Sequence, residues 1–278
     1  MTALSAVILG LIQGIAEFLP ISSSGHLSVF QNFFNLSPAE DGHMFFDVLL
    51  HLGTLISVCV VYRRDIAEIV ADTLSYIKSA GHPVPGGPKK YPGARLLLMM
   101  FIATLPLFVI LPFKSKIETL YYNTLFIGIA FILTGLVLFF SDRMKNGKKN
   151  ENNMSVLSAI VIGVAQAIAT VPGISRSGMT ISAGMAMDLD REFAAKFSFL
   201  ISIPAILGAN LLSLFEALGN GIDASLIPVY LLGMLVAMVS GFFAVSLVRM
   251  ICRKGKFGNF AYYCWFAGVV TIILTFVL

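Results

Sequence analysis

The sequence predicts an all-α polytopic membrane fold with six transmembrane helices, two re-entrant helical hairpins and an inverted-topology repeat. Three observations carry that expectation. Of the 278 residues, 57% are hydrophobic and only 12% charged, with a mean hydropathy of +0.87. A soluble domain carries about 25% charged residues, so this chain cannot cover a water-facing surface. Six apolar runs, about 45–62, 96–113, 122–141, 194–215, 226–250 and 260–278, approach or exceed the roughly 20 residues a helix needs to cross a bilayer. Finally, a polar stretch at Gln13–His26 recurs about half a chain later, at Gln166–Thr180.

The first copy reads Gln13-Gly-Ile-Ala-Glu17-Phe-Leu-Pro20-Ile-Ser22-Ser23-Ser24-Gly25-His26 and follows an apolar run in which Ser5 is the polar exception. Gln13 and Glu17 are four apart, on one face of a helix. Pro20 ends that helix. The apolar pieces 3–19 and 155–171 are too short and interrupted to span, and each runs into a Pro/Ser/Gly turn. Such pieces read as hairpins that enter and leave the membrane on one side, with the polar turn buried in protein or lining a water-filled cavity. The N-terminus lacks a basic region ahead of its apolar run, so no cleavable signal peptide is expected.

Charge fixes the expected orientation. Arg63, Arg64, Lys78, Lys89, Lys90 and Arg95 fall in loop 63–95, Arg143, Lys145, Lys148 and Lys149 in loop 141–155, and Arg249, Arg253, Lys254 and Lys256 in loop 249–257. Six spans and two hairpins put these loops on one side, which the positive-inside rule makes cytoplasmic. Both termini are then outside, the first hairpin enters from the outer face and the second from the cytoplasmic face. Residues 81–93, rich in Gly and Pro, are expected to be a flexible cytoplasmic linker. The net charge of +4 is no nucleic-acid signal, because the basic residues lie in loops between apolar spans. Cys59, Cys252 and Cys264 show no paired or metal-type spacing and read as small packing residues.

A shift of 153 positions superimposes Gly10 on Gly163, Gln13 on Gln166, Ser22 on Ser175, Ser24 on Ser177 and Gly25 on Gly178. The chain is thus expected to be one integral membrane domain, with repeat one at about 1–150 and repeat two at about 151–278. Three spans follow each copy, and an odd number forces the halves into opposite orientations, with the binding site near the midplane where they meet. The copies differ where chemistry would reside: Glu17 is replaced by Thr170, Ser23 by Arg176 and His26 by Met179. Brought together they form one asymmetric site with a carboxylate, an imidazole, a guanidinium and several hydroxyls.

Arg176 matches phosphate oxygens bidentately, and Ser22, Ser24, Gly25, Ser175, Ser177, Gly178 and Thr180 supply hydroxyls and freed amides for an anion at a helix start. Glu17 and the Gln13 carbonyl are hard oxygen ligands for Mg²⁺ or Ca²⁺. Ser23 or His26 would perform attack or proton transfer. Bland roles compete: serines back-bond to their own helix, the two glutamines bond across a helix pair, and the charged trio forms structural ion pairs. Ionisable groups at the bilayer centre cost at least about 2.5–3.5 kcal/mol, which argues against packing alone. His51 lines the cavity or merely hydrogen-bonds, and Asp47 is a weaker supporting candidate. His43 and His82 read as loop residues. Asp188, Asp190, Arg191 and Glu192 read as a solvated charged turn.

Two other activities compete. Ser24-Gly25-His26 is superficially similar to lipid phosphatases of the PAP2 type, but those need a distal histidine after a Ser-Arg motif, and all four histidines here lie at or before His82. The second is a transporter or flippase for an anionic substrate, since inverted repeats with broken helices are transporter architecture.

Together the motifs resemble the bacitracin-resistance type undecaprenyl-diphosphatases of bacterial membranes. That family carries (Glu/Gln)-x-x-x-Glu followed by Pro-x-Ser-Ser-(Ser/Thr)-Gly-His, here Gln13 to Glu17 and Pro20 to His26, and Pro-Gly-x-Ser-Arg-Ser-Gly-x-Thr, here Pro172 to Thr180. The stretches Phe46–Gly53 and Glu192–Phe199 look similar too. The resemblance implies hydrolysis of undecaprenyl diphosphate to the monophosphate and inorganic phosphate. That reaction recycles the lipid carrier for peptidoglycan synthesis and confers bacitracin resistance. It implies a bacterial inner-membrane location, a polyprenyl diphosphate substrate and a site open to the outer face. A homodimer is compatible with the sequence, which fixes no oligomeric state.

Overall fold

Helix ends in this chain are written by short polar signals between apolar runs. The computed structural model describes residues 1–33, 42–79, 91–220 and 224–277. Among these, regular structure is helical apart from one β-bridge between Lys149 and Leu189. His82, Lys89, Lys90 and most of the Gly/Pro-rich stretch lie outside the described residues, as does the side chain of His43.

Helix α1 (Ala3–Phe18) starts where the Thr2 hydroxyl accepts from Ser5 N and stops before Pro20. After the turn, α2 (Ser23–Phe33) opens with Ser22 Oγ accepting from Gly25 N at 3.3 Å. Helices α9 (Val156–Ile168) and α10 (Arg176–Ala186) repeat this construction. Ser155 caps α9, and Ser175 Oγ accepts from Gly178 N at 3.1 Å to open α10. The 16 residues of α1 and 13 of α9 are too few to span.

The spanning elements match the expected six. Five are apolar and long enough: Pro92–Leu120 (α5, Pro92–Thr104; α6, Pro106–Ile110; α7, Lys114–Leu120), Thr124–Ser141 (α8), Arg191–Phe215 of α11 (Arg191–Asn220), Ile227–Arg253 (α12) and Phe257–Val277 (a short 3₁₀ turn and α13, Phe260–Val277). The sixth is α3, Gly42–Val61, whose apolar Phe45–Val61 part passes the same test when taken with α4, Arg63–Ser79. The second span is assembled from pieces, because Pro106 and Pro112 interrupt it.

Loop 63–95 is more ordered than a loop. Its first half is the amphipathic α4, bent 76° from α3 and packed on α5, with Asp72 Oδ2 accepting from Gly93 N at 2.8 Å. The turn expected to be solvated at 188–192 is tied down as well. Asp190 Oδ1 caps α11, Arg191 pairs with Asp142 at 2.8 Å, and Arg249 with Glu192 at 2.9 Å. The first amides of a helix lack intrahelical acceptors, so Asp190 takes them, and the nearby cations pair with the remaining carboxylates.

The short helices are clasped symmetrically. A Cβ added to Gly10 would meet Gly233 O of α12 at 2.5 Å, and one added to Gly163 would meet Ala103 O of α5 at 2.5 Å. The repeated glycine lets each half-helix touch the backbone of a span, the close approach that drives packing between membrane helices. Around these contacts sits a core that includes Phe18, Tyr62, Phe197, Phe199 and Leu200.

Candidate active site

The two polar turns touch. A Cβ on Gly25 would sit 2.8 Å from Gly173 Cα and 2.7 Å from Phe131 Cε1, so glycine is required for this approach. Ser177 Oγ donates to Leu19 O at 3.2 Å, tying the second turn to the first. Each turn is also braced by a span. Thr134 of α8 donates to Gly173 O at 3.1 Å and accepts from Ser175 N at 3.2 Å, and Cys264 Sγ of α13 contacts Pro20 O at 3.5 Å. The chain bends through left-handed conformations at Gly173 (φ 88°) and at Ser22 (φ 71°). For Ser22 that costs about 1–3 kcal/mol and is held by the surrounding bonds.

Glu17 is the centre of this junction, with its side chain 6% exposed. Arg176 Nη2 donates to Glu17 Oε1. Ser23 Oγ donates to Oε2 at 2.6 Å, and Gln13 Nε2 donates to the same oxygen at 3.0 Å. His51 Nε2 lies 3.9 Å away, its ring held by Nδ1 donating to Asp47 O at 2.8 Å. A buried carboxylate is tolerated only with such compensation. Four helices, α1, α2, α3 and α10, therefore converge on one carboxylate.

His26 sits apart from that cluster. Its Nδ1 is 2.7 Å from Ser22 O, a pure acceptor, so Nδ1 carries the proton and Nε2 presents its lone pair. The Tyr263 hydroxyl donates to Nε2 at 2.8 Å. The two rings stack at 5.6 Å between centroids, and Phe131 packs on His26 at 4.8 Å. Although Ser23 and His26 are three residues apart on α2, the Ser23 hydroxyl faces Glu17 while the His26 ring turns to Tyr263.

The remaining expected binding residues divide by exposure. Ser24 is half-buried, with its hydroxyl 3.3 Å from Ser22 Oγ. Ser22, Gly25, Ser175, Ser177, Gly178 and Thr180 are buried. Their hydroxyls serve the scaffold: Ser175 caps α10, and Thr180 Oγ1 bonds Ser198 Oγ at 2.5 Å and Arg176 O at 2.8 Å. Thr180 thus fixes the helix that aims Arg176. Ser23, Ser24, His26 and Arg176 are the half-buried members a ligand can reach.

Tyr263 emerges as a neighbour only in three dimensions, and His51, expected either to line the cavity or merely to hydrogen-bond, stands beside Glu17. His51 was one histidine in an apolar run, and Tyr263 one aromatic among many. The available sequence signal was that a tyrosine or histidine in a membrane helix needs a polar partner.

For a divalent cation, the donor set offers Glu17 and Gln13 Oε1. The latter is fully buried, beside Glu17, and has no hydrogen-bond partner among the described residues. An orphaned carbonyl oxygen next to a carboxylate suits Mg²⁺ or Ca²⁺, whose other ligands are commonly water and substrate phosphate. No group of three His, Cys, Asp or Glu side chains that could hold a metal occurs among the described residues.

Residues 6–270 match the family described as bacitracin resistance protein BacA. The chain belongs to the BacA family. It is 42% identical over 278 residues to the undecaprenyl-diphosphatase of Carboxydothermus hydrogenoformans, covering 99% of this chain and 98% of that one. It is 39% identical to the undecaprenyl-diphosphatase of Methanobrevibacter smithii, covering 98% of each chain. The undecaprenyl-diphosphatase of Alkaliphilus metalliredigens is 38% identical, with 99% of each chain covered. As a BacA-family protein with apolar helices of spanning length, the chain is a multi-pass membrane protein. A half-buried arginine and a serine hydroxyl meet a buried carboxylate beside two helix starts.

Proposed function

We propose that this chain hydrolyses undecaprenyl diphosphate to undecaprenyl phosphate and inorganic phosphate, returning the carrier for cell-wall synthesis and conferring bacitracin resistance. The observation that carries the reading is the convergence of Ser23 and Arg176 on Glu17 where the two turns touch. The relatives named undecaprenyl-diphosphatase supply the substrate.

In this mechanism the terminal phosphate draws Arg176 away from Glu17, which raises the basicity of the carboxylate. Glu17 Oε2 takes the Ser23 proton, Ser23 Oγ bonds to the terminal phosphorus, and the bridging P–O bond breaks to release undecaprenyl phosphate. Water then releases the phosphate from Ser23. Arg176 and the positive end of α2 stabilise the phosphoryl charge. Tyr263 fixes the orientation of His26, the second proton-handling group. A divalent cation held by Glu17 and Gln13, when bound, supplies neutralisation of phosphate charge.

The halves 1–150 and 151–278 form an inverted repeat in this proposal, supported by the paired glycine contacts and paired serine caps. The protein resides in the bacterial inner membrane with both termini and the site opening outside, as the grouping of basic loops supports. The test is phosphate release from a polyprenyl diphosphate by the purified protein in detergent. A transporter, having no compartments to connect, would release none.

A further inference from the structure

Helix α4 leaves the span α3 at 76°, and a helix at that angle to a span lies close to the membrane plane. One of its faces packs on α5, with Ile69 buried there and Asp72 accepting from Gly93 N at 2.8 Å. A second stripe, Val70, Leu74 and Ile77, follows i, i+4, i+7, and each of the three is more than half exposed. An apolar stripe on an in-plane helix marks a helix set into the boundary between headgroups and acyl chains. Tyr76 and Tyr91, with ring centroids 5.8 Å apart, stand at the same level, and tyrosines favour that interface.

Between α4 and α5 runs a groove of about 470 Å³, within the range of about 300–1,000 Å³ typical of ligand sites. Its two ends differ. Thr73, Tyr76 and Arg95 line the polar end, and Leu97, Leu98 and Phe101 line the rest along α5. These three apolar side chains are exposed on a spanning element, so the groove opens sideways to the membrane. From Arg95 to Phe101 the helix rises about 9 Å, enough to pass from headgroup level into hydrocarbon. Arg95 donates to Glu151 O at 2.7 Å and to Met154 O. Those carbonyls carry no net charge, and a guanidinium has five N–H donors. The nearby carboxylates are engaged elsewhere: Asp72 on Gly93 N, and Asp65 and Glu151 on Lys196. Among the described residues Arg95 has no carboxylate partner, so its positive charge stands unneutralised at the head of an apolar groove.

We infer that this groove binds one anionic phospholipid from the leaflet on the side of the basic loops. Its phosphate rests on Arg95 and Tyr76, and one acyl chain runs along Leu97, Leu98 and Phe101. Charge selects the occupant: a net-negative headgroup neutralises Arg95, whereas a zwitterionic one brings a cation of its own. The lipid then sits behind the start of α9, because the carbonyl of Met154 that Arg95 holds directly precedes the Ser155 cap.

The test is native mass spectrometry of the full chain in detergent, titrated with phosphatidylglycerol and with phosphatidylcholine. One phosphatidylglycerol is expected to bind at least about fivefold more tightly than phosphatidylcholine. Thr73→Glu sets a carboxylate beside Arg95 and Leu98→Trp fills the groove, and each is expected to weaken phosphatidylglycerol about tenfold. Ser75→Glu, about 160° round the helix from Thr73, controls for net charge and is expected to stay within about twofold of the wild type. Photo-crosslinking of a diazirine-bearing phosphatidylglycerol to the wild-type protein needs no variant to fold. Peptide mass spectrometry is expected to place the label on α4 and the first turns of α5. No preference over phosphatidylcholine, unchanged binding in both groove variants, equal weakening by Ser75→Glu, or label confined to other helices overturns the site. So does a dimer that Leu98→Trp converts to a monomer, which would give the groove to a second copy of the chain.

Discussion

Glu17 and Arg176, 159 residues apart, form an ion pair where the two polar turns touch. Each belongs to one copy of the repeated motif, and neither has its counterpart in the other copy. Glu17→Gln and Arg176→Ala are each expected to lower kcat/KM by about 10²–10⁴, the range for a lost proton-transfer or charge-stabilising group. The double variant is expected to lose much less than the product of the two, because each single change already disables the same unit. Phosphate-release kinetics on the four proteins checks this; additive losses would mean that the residues act separately.

Ser23 is the hydroxyl held on Glu17 at 2.6 Å, so it is expected to carry the phosphoryl group. Acid quenching during turnover, followed by peptide mass spectrometry, is expected to find phosphate on Ser23 in the wild type and none in Ser23→Ala. The variant is expected to lose at least about 10³ in kcat. Phosphate trapped on His26 instead would reassign the nucleophile.

Gln13 Oε1 is buried beside Glu17 without a hydrogen-bond partner. Chelator treatment is expected to abolish activity, and Mg²⁺ or Ca²⁺ to restore it. Gln13→Ala is expected to raise the metal concentration giving half-maximal activity by about tenfold, equivalent to about 1.4 kcal/mol. Full activity after exhaustive chelation would remove the metal from the mechanism.

Gly25 has no room for a side chain between Phe131 and Gly173. Gly25→Ala is expected to destabilise the fold by about 1–3 kcal/mol, as overpacking does, and to lower the melting temperature in detergent. Gly208, which has open space around its Cα, gives the contrast: Gly208→Ala is expected to leave the melting temperature unchanged or to raise it, since alanine stabilises a helix interior relative to glycine.

What the chain alone determined is what depends on composition and local order. Apolar runs fixed the spans, because a bilayer core admits only helices that satisfy their own backbone. Pro20 and Pro172 fixed where the half-helices stop, and the serines after them where the next helices begin. The repeated Gln, Ser and Gly positions pointed to Glu17, Ser23 and Arg176 as members of one site. Amphipathic α4 escaped because its mean hydropathy is that of a loop, and its order comes from packing on α5. Tertiary structure decided which groups actually meet. His51, from a span between the motifs, approaches Glu17, while His26, from within the motif, turns to Tyr263 of the final helix. Sequence distance carries no information about such pairings. A charged or polar side chain in a low-dielectric interior takes whichever partner the packing of the helices brings within about 3 Å, and that packing is a property of the whole bundle.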